Sequence, residues 1–197
     1  MLLVGDIHGN FEYIQSLCKL TRQEPIIQLG DMGLGFGSSE QPDIFPDNFY
    51  FIRGNHDNPM SAKAYSNYLG DFGYNEKLKL FFISGADSTD KAYRKENVSW
   101  WRNEQLSDNQ LFEAFKLYTQ VRPEIVISHT CPAFVTKLMI QSKDAHRTEK
   151  MLEKMWNLHQ PKLWLFGHFH PESLWDFPIK NTRFICVPID QYFYLRQ

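Results

Sequence analysis

The chain has 197 residues, 43% of them hydrophobic and 15% aromatic, enough for one sizeable core, and a single domain over residues 1–197 is expected. Net charge is −2 with acids and bases intermixed, so no global basic field points to DNA or RNA. Three cysteines, Cys18, Cys131 and Cys186, stand far apart with no CxxC pair; they read as reduced thiols, and the expected setting is cytoplasmic.

The first apolar run, residues 1–4, is far too short for a signal peptide or a membrane span, so no membrane partner is expected. It reads as a buried strand ending at Gly5-Asp6-Ile7-His8. Asn10 is placed to cap a helix whose apolar positions Phe11, Ile14, Leu17 and Cys18 recur at helical spacing. Residues 25–29 form a second strand that ends at Gly30-Asp31. From Met32 to Asp47 the chain is rich in glycine and proline, and a loop of that length in a compact domain is usually functional or mobile. Residues 49–52 read as a third buried strand, which delivers Arg53-Gly54-Asn55-His56-Asp57. Here Gly54 permits a sharp turn, Asn55 offers a neutral amide oxygen, and His56 is an acid or base that works near neutral pH.

Residues 59–69 suggest a short helix or helical loop, and residues 78–84 a strand paired in a hairpin with the region of Tyr74. Residues 87–103 are polar and irregular. Ser107-Asp108-Asn109-Gln110 is a capping-box pattern opening an amphipathic helix to about Val121. Residues 124–127 form another buried strand, delivering Ser128-His129. A helix starting near Ala145 puts Met151, Leu152, Met155, Trp156 and His159 on one face. Residues 162–166 are a strand that delivers Gly167-His168-Phe169-His170. Residues 173–177 and 182–187 suggest a closing antiparallel pair, followed by a short tail from Asp190.

Five apolar strands thus each end in a glycine or serine followed by a metal-ligand type of residue. In layered α/β folds, ligands gather outside the carboxyl ends of strands. Five of the seven histidines in the chain fall at these ends, which ordinary loop histidines do not explain. The two outside them read differently. His159, on an apolar helix face, suits a core histidine, and His146, like Arg147, an exposed loop.

The blocks Gly5-Asp6-Ile7-His8, Gly30-Asp31, Gly54-Asn55-His56-Asp57, His129 and Gly167-His168-Phe169-His170 resemble, in order and approximate spacing, those of the calcineurin-like metallophosphoesterases. The resemblance covers residues 5–170 and is closest to small bacterial and phage members. It implies a four-layer α-β-β-α sandwich of α/β class with two divalent metal ions at the strand ends. Carried over, Asp6, His8 and His170 would hold the first ion, Asn55, His129 and His168 the second, and Asp31 would bridge both. This set without thiolate suits manganese first, with iron, nickel or zinc as alternatives. Two divalent ions less two aspartates leave positive charge that suits a phosphate. The implied chemistry is hydrolysis of a small phosphorylated substrate by in-line attack of a metal-bridging hydroxide, with His56 protonating the leaving oxygen.

Further residues carry two readings each. Arg53 and Arg94 are candidates to contact substrate; for Arg53 a structural ion pair is the equal alternative, and for Arg94 a solvated or structural role. The segment from Gly85 through Arg94 and Trp100-Trp101 to Glu104 is expected to border the cleft, the tryptophans packing rather than stacking on bases. The chain also departs from the serine/threonine phosphatase branch. Leu34 stands where that branch has an aspartate orienting the acid histidine, and Gly35 where it has a phosphate-binding arginine. A small phosphodiester or nucleotide is therefore the expected substrate. A protein phosphatase is the alternative, and a non-enzymatic binding module is argued against by the full set of seven ligand positions.

Overall fold

The computed structural model describes residues 1–21, 23–36, 41–141 and 144–196. Two β-sheets carry the fold. The first has the order β10-β1-β2-β3, built from β1 (Leu2–Val4), β2 (Ile26–Gln28), β3 (Phe49–Phe51) and β10 (Tyr192–Tyr194). Its members β1, β2 and β3 run parallel, and β10 pairs antiparallel on the outer edge of β1. The second has the order β4-β5-β6-β7-β9-β8. Its strands are β4 (Phe72–Asn75), β5 (Leu80–Ile83), β6 (Ile125–Ser128), β7 (Leu163–Phe166), β8 (Trp175–Ile179) and β9 (Thr182–Cys186). Here β5, β6, β7 and β9 are parallel, with antiparallel β4 and β8 at the edges.

Side-chain alternation along these short apolar strands decides the layering, because successive residues of a strand face opposite sides of the sheet. Leu3 and Ile27 from the first sheet, with Ile52 just past β3, meet Leu80, Phe82, Ile127, Leu165 and Ile185 from the second in one buried seam. The alternate residues face outward. Leu2, Val4, Ile26, Phe49 and Phe51 pack on helix α1 (Phe11–Leu20) and on Ala62 of α2 (Pro59–Lys63). Phe81, Val126, Trp164, Phe166 and Phe184 pack on helices α3 (Asp108–Val121), α4 (Ala133–Ile140) and α5 (Arg147–Leu158). Both sheets are thereby covered on both faces, and the chain forms the expected α-β-β-α sandwich. Parallel strands buried on both faces read as continuous apolar runs, as these do.

The caps follow the sequence closely. Asn10 accepts the Tyr13 backbone N–H, and Ser107 forms a capping box with Gln110. Between β2 and β3 the described residues of the glycine-rich loop contain neither helix nor strand; Gly37 of that loop and Gln197 of the tail lie outside the described residues. The five ligand-bearing strands are shared between the two sheets, three in the first and two in the second. Four expectations need amending. Helix α4 was not anticipated, α5 begins at Arg147, and the tail contains the edge strand β10. His146 is no bare loop residue either, since it caps α5 and lies 3.1 Å from Asp87. Among the described residues no helix is long and apolar enough to cross a membrane.

Leu165 is fully buried in the seam between the sheets. Leu165→Ala should lower stability by about 2–5 kcal/mol, the range for a core truncation that leaves a cavity. In urea unfolding the midpoint should fall at unchanged slope. A midpoint within error of the parent protein would show that the two sheets do not share this core.

Candidate metal centre

Each motif occupies the turn just past a strand, and the turns are tied to one another by backbone bonds. The amides of Ile7 and His8 donate to the Asp31 carbonyl at 3.1 and 2.9 Å, and that of Gly9 to Met32 at 2.8 Å. The backbone then bends unusually at the ligand positions themselves. His8, Asp31, His168 and His170 all have left-handed backbone, with φ of 43°, 57°, 69° and 45°. Such conformations persist in non-glycine residues where the surroundings over-determine them, and they cluster at functional sites.

Two glycines make room for this crowding. A Cβ on Gly54 would overlap Asp31 Oδ1 and approach His129 Nε2 to 2.6 Å, and one on Gly167 would overlap Asp6 Oδ1. Gly54, before Asn55, and Gly167, before His168, therefore each serve the close approach of a side chain from another strand.

The result is two clusters that share one carboxylate. Asp6, His8, Asp31 and His170 bring one donor atom each to within 4.8 Å of one another, and so do Asp31, His129 and His168. Asn55 completes the second cluster, its Oδ1 lying 3.1 Å from His129 Nε2. All seven expected ligand residues are thus brought together, in the two groups that the family resemblance implied.

The chemistry of the donors fits cations. His129 Nδ1 faces the Leu29 carbonyl at 2.9 Å, a contact that requires an N–H there and leaves Nε2 as the ligating atom. That nitrogen faces two oxygen acceptors, Asn55 Oδ1 and Asp31 Oδ1, the latter at 3.3 Å. A lone pair directed at two acceptors is satisfied by a cation among them, and metal-bound histidines characteristically donate their other N–H to a carbonyl. With protons as the only cations, burial opposes the His129 charge, but Asp31 overrides it and pushes the imidazole up to about 9. Burial likewise disfavours the Asp31 charge, yet His129 holds that carboxyl well below the ordinary range. Burial, followed by the His129 charge, brings His168 down to about 3. His170 donates to Asp6 at 2.7 Å, which raises it.

Around the clusters the structure assigns other roles. His56 donates its backbone N–H to Asp31 at 2.8 Å, and its ring stacks on Phe36 and meets His8 edge-on. Arg94 reaches this ring, with Nη2 2.9 Å from Nε2 and Nη1 3.2 Å from Nδ1. Burial is the main cause that lowers the His56 pKa, and Arg94 adds to it against Asp31. Arg94 is itself held by Asp90 at 2.6 and 2.7 Å and by the Ser99 carbonyl, so each of its guanidinium nitrogens has a partner. For Arg53 the structure shows the ion pair that was the equal alternative. It is 2% exposed, and its guanidinium donates to Asp71 at 3.0 Å and to the Glu104 carbonyl at 2.6 Å.

Trp101 is buried in packing, and His159 is half-buried just past the end of α5, its Nε2 meeting the Pro123 carbonyl at 3.0 Å. Sequence reasoning passed over Asp57, whose buried carboxylate accepts backbone N–H groups from Gly54, Met32, Gly33 and Leu34 at 2.8–3.2 Å. Its place directly after Asn55-His56 was the available signal.

Comparison with known proteins follows this geometry. The sequence model of the calcineurin-like phosphoesterase family matches residues 1–172. A solved protein from Thermus thermophilus aligns with TM-score 0.54 and 12% identity over 96% of this chain and 88% of its own. GAP50, the anchor in the inner membrane complex of Plasmodium, aligns with TM-score 0.52 and 12% identity over 95% of this chain and 70% of its own. A predicted phosphoesterase from Streptococcus pneumoniae has TM-score 0.46 and 12% identity over 95% and 71%. At such identity the first two of these neighbours bear on the fold alone. No curated protein matches the chain significantly.

A proton on His129 competes with a metal ion for Nε2, and ligands must be deprotonated to bind. Since His129 is raised to about 9, metal-free protein at neutral pH carries this proton and must release it on binding. Affinity for Mn²⁺ should therefore rise with pH and level off above about 9. Calorimetric titrations in buffers of different ionisation enthalpy should show net proton release at pH 7. Binding without proton release would contradict this arrangement.

Proposed function

The chain belongs to the calcineurin-like phosphoesterase family and is a phosphoester hydrolase, and from that premise we propose that it is a two-metal enzyme acting on a small phosphodiester or nucleotide. The observation that carries the reading is the pair of donor groups sharing Asp31. Asp6, His8 and His170 would hold one ion, Asn55, His129 and His168 the other, and Asp31 both. When bound, divalent ions supply Lewis-acid charge to phosphoryl oxygens and lower the pKa of water; manganese suits the donor set, with iron, nickel or zinc as alternatives.

The protein's own contribution centres on His56. A guanidinium has donors and no acceptor, so Arg94 favours a neutral imidazole at rest. An anionic substrate arriving beside the ring acts in the opposite sense, since a nearby negative charge favours the protonated form. His56 then gains a proton as substrate binds and can give it to the leaving oxygen. This sequence makes Arg94 a positioning partner of His56 more than a clamp on phosphate.

Substrate preference follows from the same arrangement. A phosphate dianion on a flexible peptide needs a planar, bidentate arginine. Gly35 supplies none, Arg53 is buried in its ion pair, and Arg94 is paired with Asp90. A diester carries a single negative charge and depends less on such a clamp.

Elemental analysis of protein grown with manganese should approach two ions per chain, a count that follows from the two donor groups. Asp31→Asn should remove most activity with the fold intact, and saturated, active protein holding one ion would refute the two-metal reading. His56→Asn should lower turnover by about 10²–10⁴-fold on substrates with poor leaving groups and by less on nitrophenyl esters. Equal losses on both would assign His56 to binding. In kcat/KM under one metal, bis-nitrophenyl phosphate or a nucleotide should exceed a phosphoserine peptide; the reverse order would establish the protein-phosphatase alternative.

A further inference from the structure

The segment between Gly85 and Glu104 makes a second approach to the centre, separate from Arg94. Asn55, Ser88 and Glu104 are each at most 3% exposed. Asn55 Nδ2 donates to Ser88 Oγ at 3.1 Å. Ser88 donates in turn to Glu104, through Oγ to Oε2 at 2.6 Å and through its backbone N–H to Oε1 at 2.8 Å. Arg53 closes the chain of contacts, since its Nη1 holds the Glu104 carbonyl at 2.6 Å and it lies two residues before Asn55.

The direction of these bonds matters. A serine hydroxyl has one proton to give. With that proton directed at the Glu104 carboxylate, Oγ can only accept from Asn55. The NH₂ end of the amide is then held toward Ser88, and the carbonyl oxygen is turned toward His129, where Oδ1 is found. An amide reversed by half a turn would place N–H groups among the metal donors and an oxygen against the Ser88 lone pairs. We propose that Ser88 and Glu104 are positioning residues that fix the Asn55 carbonyl on the second metal position, an inference that rests on the two-metal reading above.

The test is titration of metal-depleted protein with Mn²⁺ alone, followed by calorimetry and by elemental analysis. Parent protein should bind two ions. Ser88→Ala should leave the first ion unchanged and weaken the second by about 10–100-fold, the usual effect of losing an outer-shell partner. Glu104→Gln deletes no heavy atom, but it puts an N–H donor against either the Ser88 amide or its hydroxyl, and it too should weaken the second ion selectively. If Glu104 acts through Ser88, the double variant should be no weaker than Ser88→Ala, because coupled residues do not add. Melting curves of the metal-free variants check folding, and if Ser88→Ala is unstable, Glu104→Gln decides. Wild-type affinity for the second ion in either folded variant, or equal loss of both ions, overturns the positioning role. A parent protein that binds only one ion overturns the two-metal reading itself.

Discussion

Two carboxylates, Asp6 and Asp31, are buried at the junction of the two sheets, and the arrangement around them follows from that burial. An ionised carboxylate removed from water is tolerated only when it is paired and hydrogen-bonded. Asp6 has His170 at 2.7 Å and the His168 amide at 3.1 Å. Asp31 has His129 at 3.3 Å and the His56 amide at 2.8 Å. Without metal, His129 and His170, both raised by these carboxylates, meet this demand with protons. The left-handed backbone at four ligands, two of them preceded by glycine, accompanies the packing of so many polar groups around two buried anions.

The sandwich makes the convergence possible. Asp6, Asp31 and Asn55 follow strands of the first sheet, and His129, His168 and His170 follow strands of the second. Neither sheet alone could form either donor group, because Asp31 meets His129 and His168, and Asp6 meets His170, only across the seam. The apolar seam of Leu3, Ile27, Ile127 and Leu165 thus fixes the separation of the ligands as well as stabilising the fold. Asp57 performs the equivalent task within the first sheet, gathering amides from the turns after β2 and β3 onto one carboxylate.

What was legible in the sequence was local. Apolar runs of strand length, a glycine at the turn and a ligand residue after it are all short-range signals, and they located the ligands in their strands. The allocation of those strands to two sheets depends on non-local pairing and was not legible. Helix α4 has Pro132 before it and a run of mostly apolar residues, without the polar face that would mark an amphipathic helix. The strand in the short tail was not legible because β10 lies on an edge, with Tyr192 and Tyr194 exposed. Arg53 illustrates the limit best. It follows a strand and precedes a ligand, as a phosphate-binding residue would, yet its partners Asp71 and Glu104 lie 18 and 51 residues further along.

The departures at Leu34 and Gly35 acquire a physical meaning in this light. Leu34 is fully buried among the apolar residues that join the first sheet to α1, and its side chain offers His56 no hydrogen bond. Control of the Asn55-His56 pair therefore comes from elsewhere. Both residues are reached from one segment, Arg94 at the His56 ring and Ser88 at the Asn55 amide. Asp90 and Glu104 anchor these two contacts. Displacement of that segment would release the orientation of a proposed metal ligand and the electrostatic setting of the proposed acid together.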